Sequence, residues 1–169
     1  MKQTSFTDRH LLFGLALAGL LLSGCAKVND TGLRLVSTKV DALLLVNGQV
    51  LAGTLLLIPD RTGRVSFAKQ QGPITNCAGS MRYTATNAGE IDLRCNDGTQ
   101  VAVQTTQITE TRGYGYGSTP EGTVSLTFGL TEEDAKSFLR LPAGKTLAPG
   151  AADGEFELKD VPPKSGATP

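Results

Sequence analysis

A small antiparallel all-β domain, sandwich or barrel, with one short C-terminal helix is the fold class this sequence predicts. Three observations predict it. Asn47-Gly48 separates two apolar runs, and both residues tolerate the positive φ of a tight hairpin turn. Ile91-Asp92-Leu93-Arg94 and Val124-Ser125-Leu126-Thr127-Phe128 alternate apolar and polar side chains, the period of a half-buried strand. Glycine-centred turns punctuate the chain between such runs, as in sandwiches and barrels.

The elements follow in order. Val40 to Val46 and Val50 to Ile58 form the first hairpin. Leu43-Leu44-Leu45 and Leu55-Leu56-Leu57 are continuous rather than alternating, so these strands are expected to be covered, at least in part, on both faces. A helix could use the same leucines, but Asn47, Gly48, Gly53 and Pro59 argue against it. Pro59 to Gly63 reads as a turn, Arg64 to Ala68 as a third strand and 69–76 as a connecting loop. Further strands are expected at Gly79 to Thr84, Glu90 to Cys95, Gln100 to Thr109 and Thr123 to Phe128, with turns at Asn87-Ala88-Gly89 and Asn96-Asp97-Gly98.

A helix is expected near 131–140. Thr131 offers an N-cap, Glu132, Glu133 and Asp134 suit the positive end of its dipole, and Pro142 would end it. Beyond this, Pro, Gly, Ala and charge dominate, a composition that predicts a disordered tail over 147–169. Phe156 and Leu158 are the exception and suit a short edge strand or a partner-binding segment. The division expected is a signal peptide over 1–24, a lipid anchor and tether over 25–37, a β-domain over 38–146, and the tail.

The N-terminal part rests on its own pattern. Lys2 and Arg9 precede an apolar run from Leu11, and small residues close it at Leu22-Ser23-Gly24-Cys25. Basic, apolar, small is the order of a secretory signal, and the run is short for a permanent span. The tetrapeptide resembles the lipobox of bacterial lipoproteins. That resemblance implies cleavage before Cys25, diacylation of its thiol and usually acylation of the new amine. One acyl chain holds a protein only marginally, at about 0.8 kcal/mol per buried methylene, whereas two or three make desorption negligible. Ala26 in place of an aspartate implies, by the same resemblance, the outer membrane, facing the periplasm.

Composition narrows the function classes. The chain has 16 basic and 16 acidic residues, one histidine and no tryptophan. After cleavage roughly 145 residues remain, enough for one domain with a single core. No basic excess is available to neutralise nucleic-acid phosphates, and no polybasic block to meet anionic lipid. His10 falls in the signal, so the mature chain would lack the commonest general base and metal ligand.

Cys77 and Cys95 remain once Cys25 is acylated. In an exported protein a structural disulfide is the expectation, worth about 3 kcal/mol by loop closure. Their spacing is too wide for a C-x-x-C redox motif, and no histidine or third thiol completes a zinc set. Gly113-Tyr114-Gly115-Tyr116-Gly117 lacks the following helix that a phosphate-cradling loop needs. In a strand its two rings share one face, with bare glycines opposite where another backbone can approach. Buried, Tyr114 and Tyr116 pack the fold; exposed, they form a platform for a sugar ring or a protein surface. Asn96-Asp97-Gly98 suits a hairpin turn better than a calcium site needing six or more oxygens. Adjacent Glu132, Glu133 and Asp134 diverge around a helix, unlike a glycosidase pair, and no G-x-S-x-G elbow is present.

The order Cys77-Ala78-Gly79, Cys95-Asn96-Asp97-Gly98, Gly113-Tyr114-Gly115 and Phe128-Gly129 resembles small uncharacterised proteobacterial lipoproteins with a C-x-G…C-x-D-G…G-x-G…F-G pattern. That resemblance implies a bridged β module and carries over no catalytic residue. The expectation is therefore a non-enzymatic envelope lipoprotein without cofactor, metal or nucleic-acid partner, meeting the membrane through the lipid on Cys25 and an envelope protein or glycan through its surface. The other reading is a binding module for a glycan or for an enzyme that it inhibits, using Tyr114 and Tyr116.

Overall fold

A computed structural model describes residues 36–152 and 154–161. The signal, Cys25 and nearly all of the expected tether lie outside the described residues, as do residues 162–169. Eight strands run up and down in chain order: β1 (Thr38–Val46), β2 (Gln49–Ile58), β3 (Thr62–Ala68), β4 (Asn76–Tyr83), β5 (Ala88–Cys95), β6 (Gln100–Thr109), β7 (Arg112–Thr119) and β8 (Gly122–Phe128). Each pairs antiparallel with its neighbours, and β1 pairs with β8 over Ala42↔Phe128 to Leu45↔Ser125. The all-β prediction holds, and of its two architectures the barrel is observed. Closure removes the free edges that an open sheet would expose.

Local chemistry places the strands. Asn47 and Gly48 take φ of 48° and 72°, the left-handed turn expected between β1 and β2. Residues then alternate between a filled interior and the outer wall. Leu44, Leu55, Phe67, Met81, Ile91, Val103, Leu126 and Phe128 are among the buried interior side chains. The outer wall of β3 to β6 carries exposed Arg64, Ser80, Arg82, Asp92, Arg94, Gln100 and Gln104. On these four strands an apolar inside faces a polar outside, the inverse of the alternation on a lipid-facing strand. No helix among the described residues is long and apolar enough to cross a membrane.

After β8 comes α1 (Glu132–Phe138), capped by Thr131, whose hydroxyl accepts from the Asp134 N–H at 3.2 Å. The helix ends at Leu139, already extended, three residues before Pro142. The expected disordered tail is corrected in part: β9 (Lys145–Pro149) and β10 (Phe156–Asp160) form a two-stranded antiparallel sheet. Such a hairpin is marginal alone. Here Leu147, Phe156 and Leu158 join Leu139 and Leu141 over the outward side chains Leu43, Leu45 and Val50. Each such side chain fully buried contributes about 1.5–3 kcal/mol, which composition alone did not reveal. The Leu43-Leu44-Leu45 run is explained: Leu44 faces the interior, and its neighbours face this cover.

Candidate functional site

Each sequence-predicted position has a definite place. Cys77 and Cys95 are direct register partners on β4 and β5 and form a disulfide whose residues are 0% and 5% exposed, facing the barrel interior. They are a core staple out of solvent reach. Asn96 and Asp97 serve the adjoining turns. The Asn96 side-chain oxygen accepts from the N–H groups of Thr75 and Asn76, and Asp97 accepts from the N–H and hydroxyl of Thr99 at 2.9 and 2.7 Å. Those Thr99 bonds hold the Asp97 carboxyl below the ordinary aspartate range. Its oxygens are thus committed to a turn.

Strand β7 sets the two tyrosines. Gly113 and Gly115 are buried on the inner face, so Tyr114 and Tyr116 stand on the outer one, as the alternation predicts. There α1 meets them. The Tyr114 ring stacks on Phe138 with centroids 4.5 Å apart and planes 19° from parallel. The Tyr116 hydroxyl donates to the Phe138 carbonyl at 2.9 Å, and the Arg140 guanidinium lies 4.1 Å from the Tyr116 ring centroid. Arg112 pairs with Asp134 at 2.7 Å, and the Arg140 N–H donates to the Ser125 hydroxyl at 3.0 Å. Both rings are half-buried. The expected alternatives resolve toward packing: these tyrosines are the seat of the helix rather than an open platform.

The acidic helix start has no converging pair. Glu132 binds Lys136 at 2.8 Å, Asp134 binds Arg112, and Glu133 is exposed. No group of three or more metal-ligating side chains occurs among the described residues.

A cleft that sequence reasoning missed lies beside this seat. The helix and the β9–β10 hairpin share the Leu45–Val50 patch, joined there by Leu139 and Leu147. Toward Asp41 a gap of about 350 Å³ separates them. Its floor is a register row, Thr127 on β8, Leu43 on β1 and Ala52 on β2. Leu130 and Glu132 stand on one side, and Gly154 and Phe156 on the other. The leucine run signalled a cover but carried no sign that the cover comes in two pieces. No family model, curated protein or solved structure matches this chain.

Proposed function

We propose that this chain is an exported bacterial lipoprotein, held through acylated Cys25 at the outer membrane and facing the periplasm, whose barrel is a non-enzymatic accessory of the envelope. The observation that carries this reading is Leu22-Ser23-Gly24-Cys25 closing a basic-then-apolar leader. Two structural features support it. The polar outer wall of β3 to β6 suits a domain standing in water beside a membrane. The Cys77–Cys95 bridge suits an oxidising compartment.

The test is Cys25→Ser in a bacterial host fed an alkyne fatty acid. The unsubstituted chain should take up label and fractionate with outer membranes. The variant should lose label and accumulate as unprocessed precursor. Equal labelling of both would refute the anchor.

A second reading, a ligand-binding module, is favoured by the cleft between helix and hairpin rather than by the tyrosines. At about 350 Å³ it falls at the small end of ligand sites, with a mainly apolar lining and few polar groups.

A further inference from the structure

We infer that the cleft between α1 and the β9–β10 hairpin is a binding site for a small organic ammonium ion, a primary amine on a short apolar body. The inference rests on the binding-module reading and is independent of the anchor at Cys25.

The shape comes from small residues. Ala52 leaves the floor low between Leu43 and the hairpin, and Gly154, at the hairpin tip with φ of 77°, adds no side chain. The tip is held from the far side, where the Glu155 carboxylate accepts from the Gln70 N–H at 3.0 Å. A second, more open hollow of about 420 Å³ lies beyond it, sharing Ala52, Gly53 and Gly154.

The charge comes from the rim. Leu43, Leu130 and Phe156 give an apolar lining, while the ionisable residues lining the cleft, among the described residues, are Asp41 and Glu132. Glu132 is balanced by Lys136 along the helix at 2.8 Å. Asp41 is exposed, and its carboxylate has no partner among the described residues. Lys39, two positions earlier on the same strand face, is not part of the lining. A cation on a hydrocarbon body meets both requirements: its body covers Leu43 and Ala52, and its ammonium meets Asp41 at the mouth. An anion of the same shape meets like charge there.

The experiment compares benzylammonium, benzoate and benzyl alcohol, three probes with one ring and different charge. Each is titrated into the full chain while methyl NMR signals of Leu43, Ala52 and Leu130 are followed. Benzylammonium should give saturable shifts at these methyls, with a dissociation constant at least about tenfold below that of benzoate, a difference of about 1.4 kcal/mol. Asp41→Lys, an exposed change that leaves the core intact, should erase or reverse that preference. Ala52→Phe should abolish binding of all three probes while the methyls of Ile91 and Val103 keep their positions. Unsaturated shifts, equal affinity for benzylammonium and benzoate, or an unchanged preference in Asp41→Lys would each overturn the inference. Should Ala52→Phe fail to fold, the Asp41→Lys comparison decides alone. Loss of the anchor in Cys25→Ser would leave these affinities unchanged.

Discussion

Gly113→Ala sets a gain in strand propensity against a collision, and the geometry decides the sign. Gly113 lies opposite Phe128 across the β7–β8 ladder. An added Cβ would fall on the edge of the Phe128 ring and 2.6 Å from the Thr106 carbonyl oxygen. Neither can easily retreat. Phe128 is 1% exposed, packed in the barrel interior, and Thr106 belongs to the neighbouring strand. Replacing glycine with alanine within a strand gains about 0.5–1 kcal/mol, while forcing a methyl into a packed interior costs about 1–3 kcal/mol. The net expectation is a loss of about 1–2 kcal/mol, or roughly 3–10 °C in Tm for a domain of this size. Urea unfolding followed by circular dichroism measures it. Phe128→Leu removes the outer ring atoms, so the double variant should be less destabilised than the two single losses added, by about 1 kcal/mol. A neutral or stabilising Gly113→Ala, or strict additivity with Phe128→Leu, would refute the claim that this ring fills the space facing β7.

The other expectations are shorter. Replacing Cys77 and Cys95 together by alanine should lower unfolding stability by about 3 kcal/mol, since the bridge closes a loop of 18 residues; an unchanged urea midpoint would contradict the staple. Tyr116→Phe deletes the bond to the Phe138 carbonyl and should cost about 0.5–1.5 kcal/mol. Faster amide exchange should follow at Leu139, whose N–H bonds Ala135, and at Arg140, and unaltered exchange would show that the helix is held otherwise. The Asp97 carboxyl should titrate by NMR below the aspartate reference of about 3.9. Because its folded value is depressed, its contribution is present above the unfolded value and lost as pH falls through the folded one. An Asp97→Asn variant should lack that part of the acid dependence, and a midpoint at or above 3.9 would contradict the Thr99 bonds.

What the residues disclosed depended on how local the deciding physics was. Asn47-Gly48 marked its hairpin because the turn's positive φ angles are a property of those two residues. Thr131 marked the helix start because its hydroxyl reaches only three positions along. The Gly/Tyr alternation of β7 located one buried and one outer face, and the strand period alone is enough for that. Closure was a different matter. The pairing of Ala42 with Phe128 joins distant parts of the chain, and an alternating pattern reads the same in a sandwich and a barrel. Composition points to a disordered tail because Leu147, Phe156 and Leu158 are sparse among Pro, Gly and charge; Phe156 and Leu158 suit the edge strand observed, but all three become stabilising only against Leu45 and Val50. The cleft was illegible for a related reason, since it is the space between two covering pieces and belongs to neither sequence.

The cover also explains the asymmetry of the barrel wall. β3 to β6 carry polar side chains outward and need no second layer. β1 and β2 carry Leu43, Leu45 and Val50 outward, while β7 and β8 carry Tyr114, Tyr116, Ser125 and Thr127. Those two outer faces demand different partners. The aliphatic face is met by the apolar side of a hairpin together with Leu139 and Leu141, which follow the helix. The tyrosine face is met by a helix whose Phe138 ring and backbone carbonyl complement a ring and a hydroxyl. Since the chain supplies the helix first and the hairpin second, the join falls along the β8–β1 seam where the barrel closes. Thr127 and Leu43, opposite one another across that seam, form the cleft floor because neither half of the cover is shaped for both.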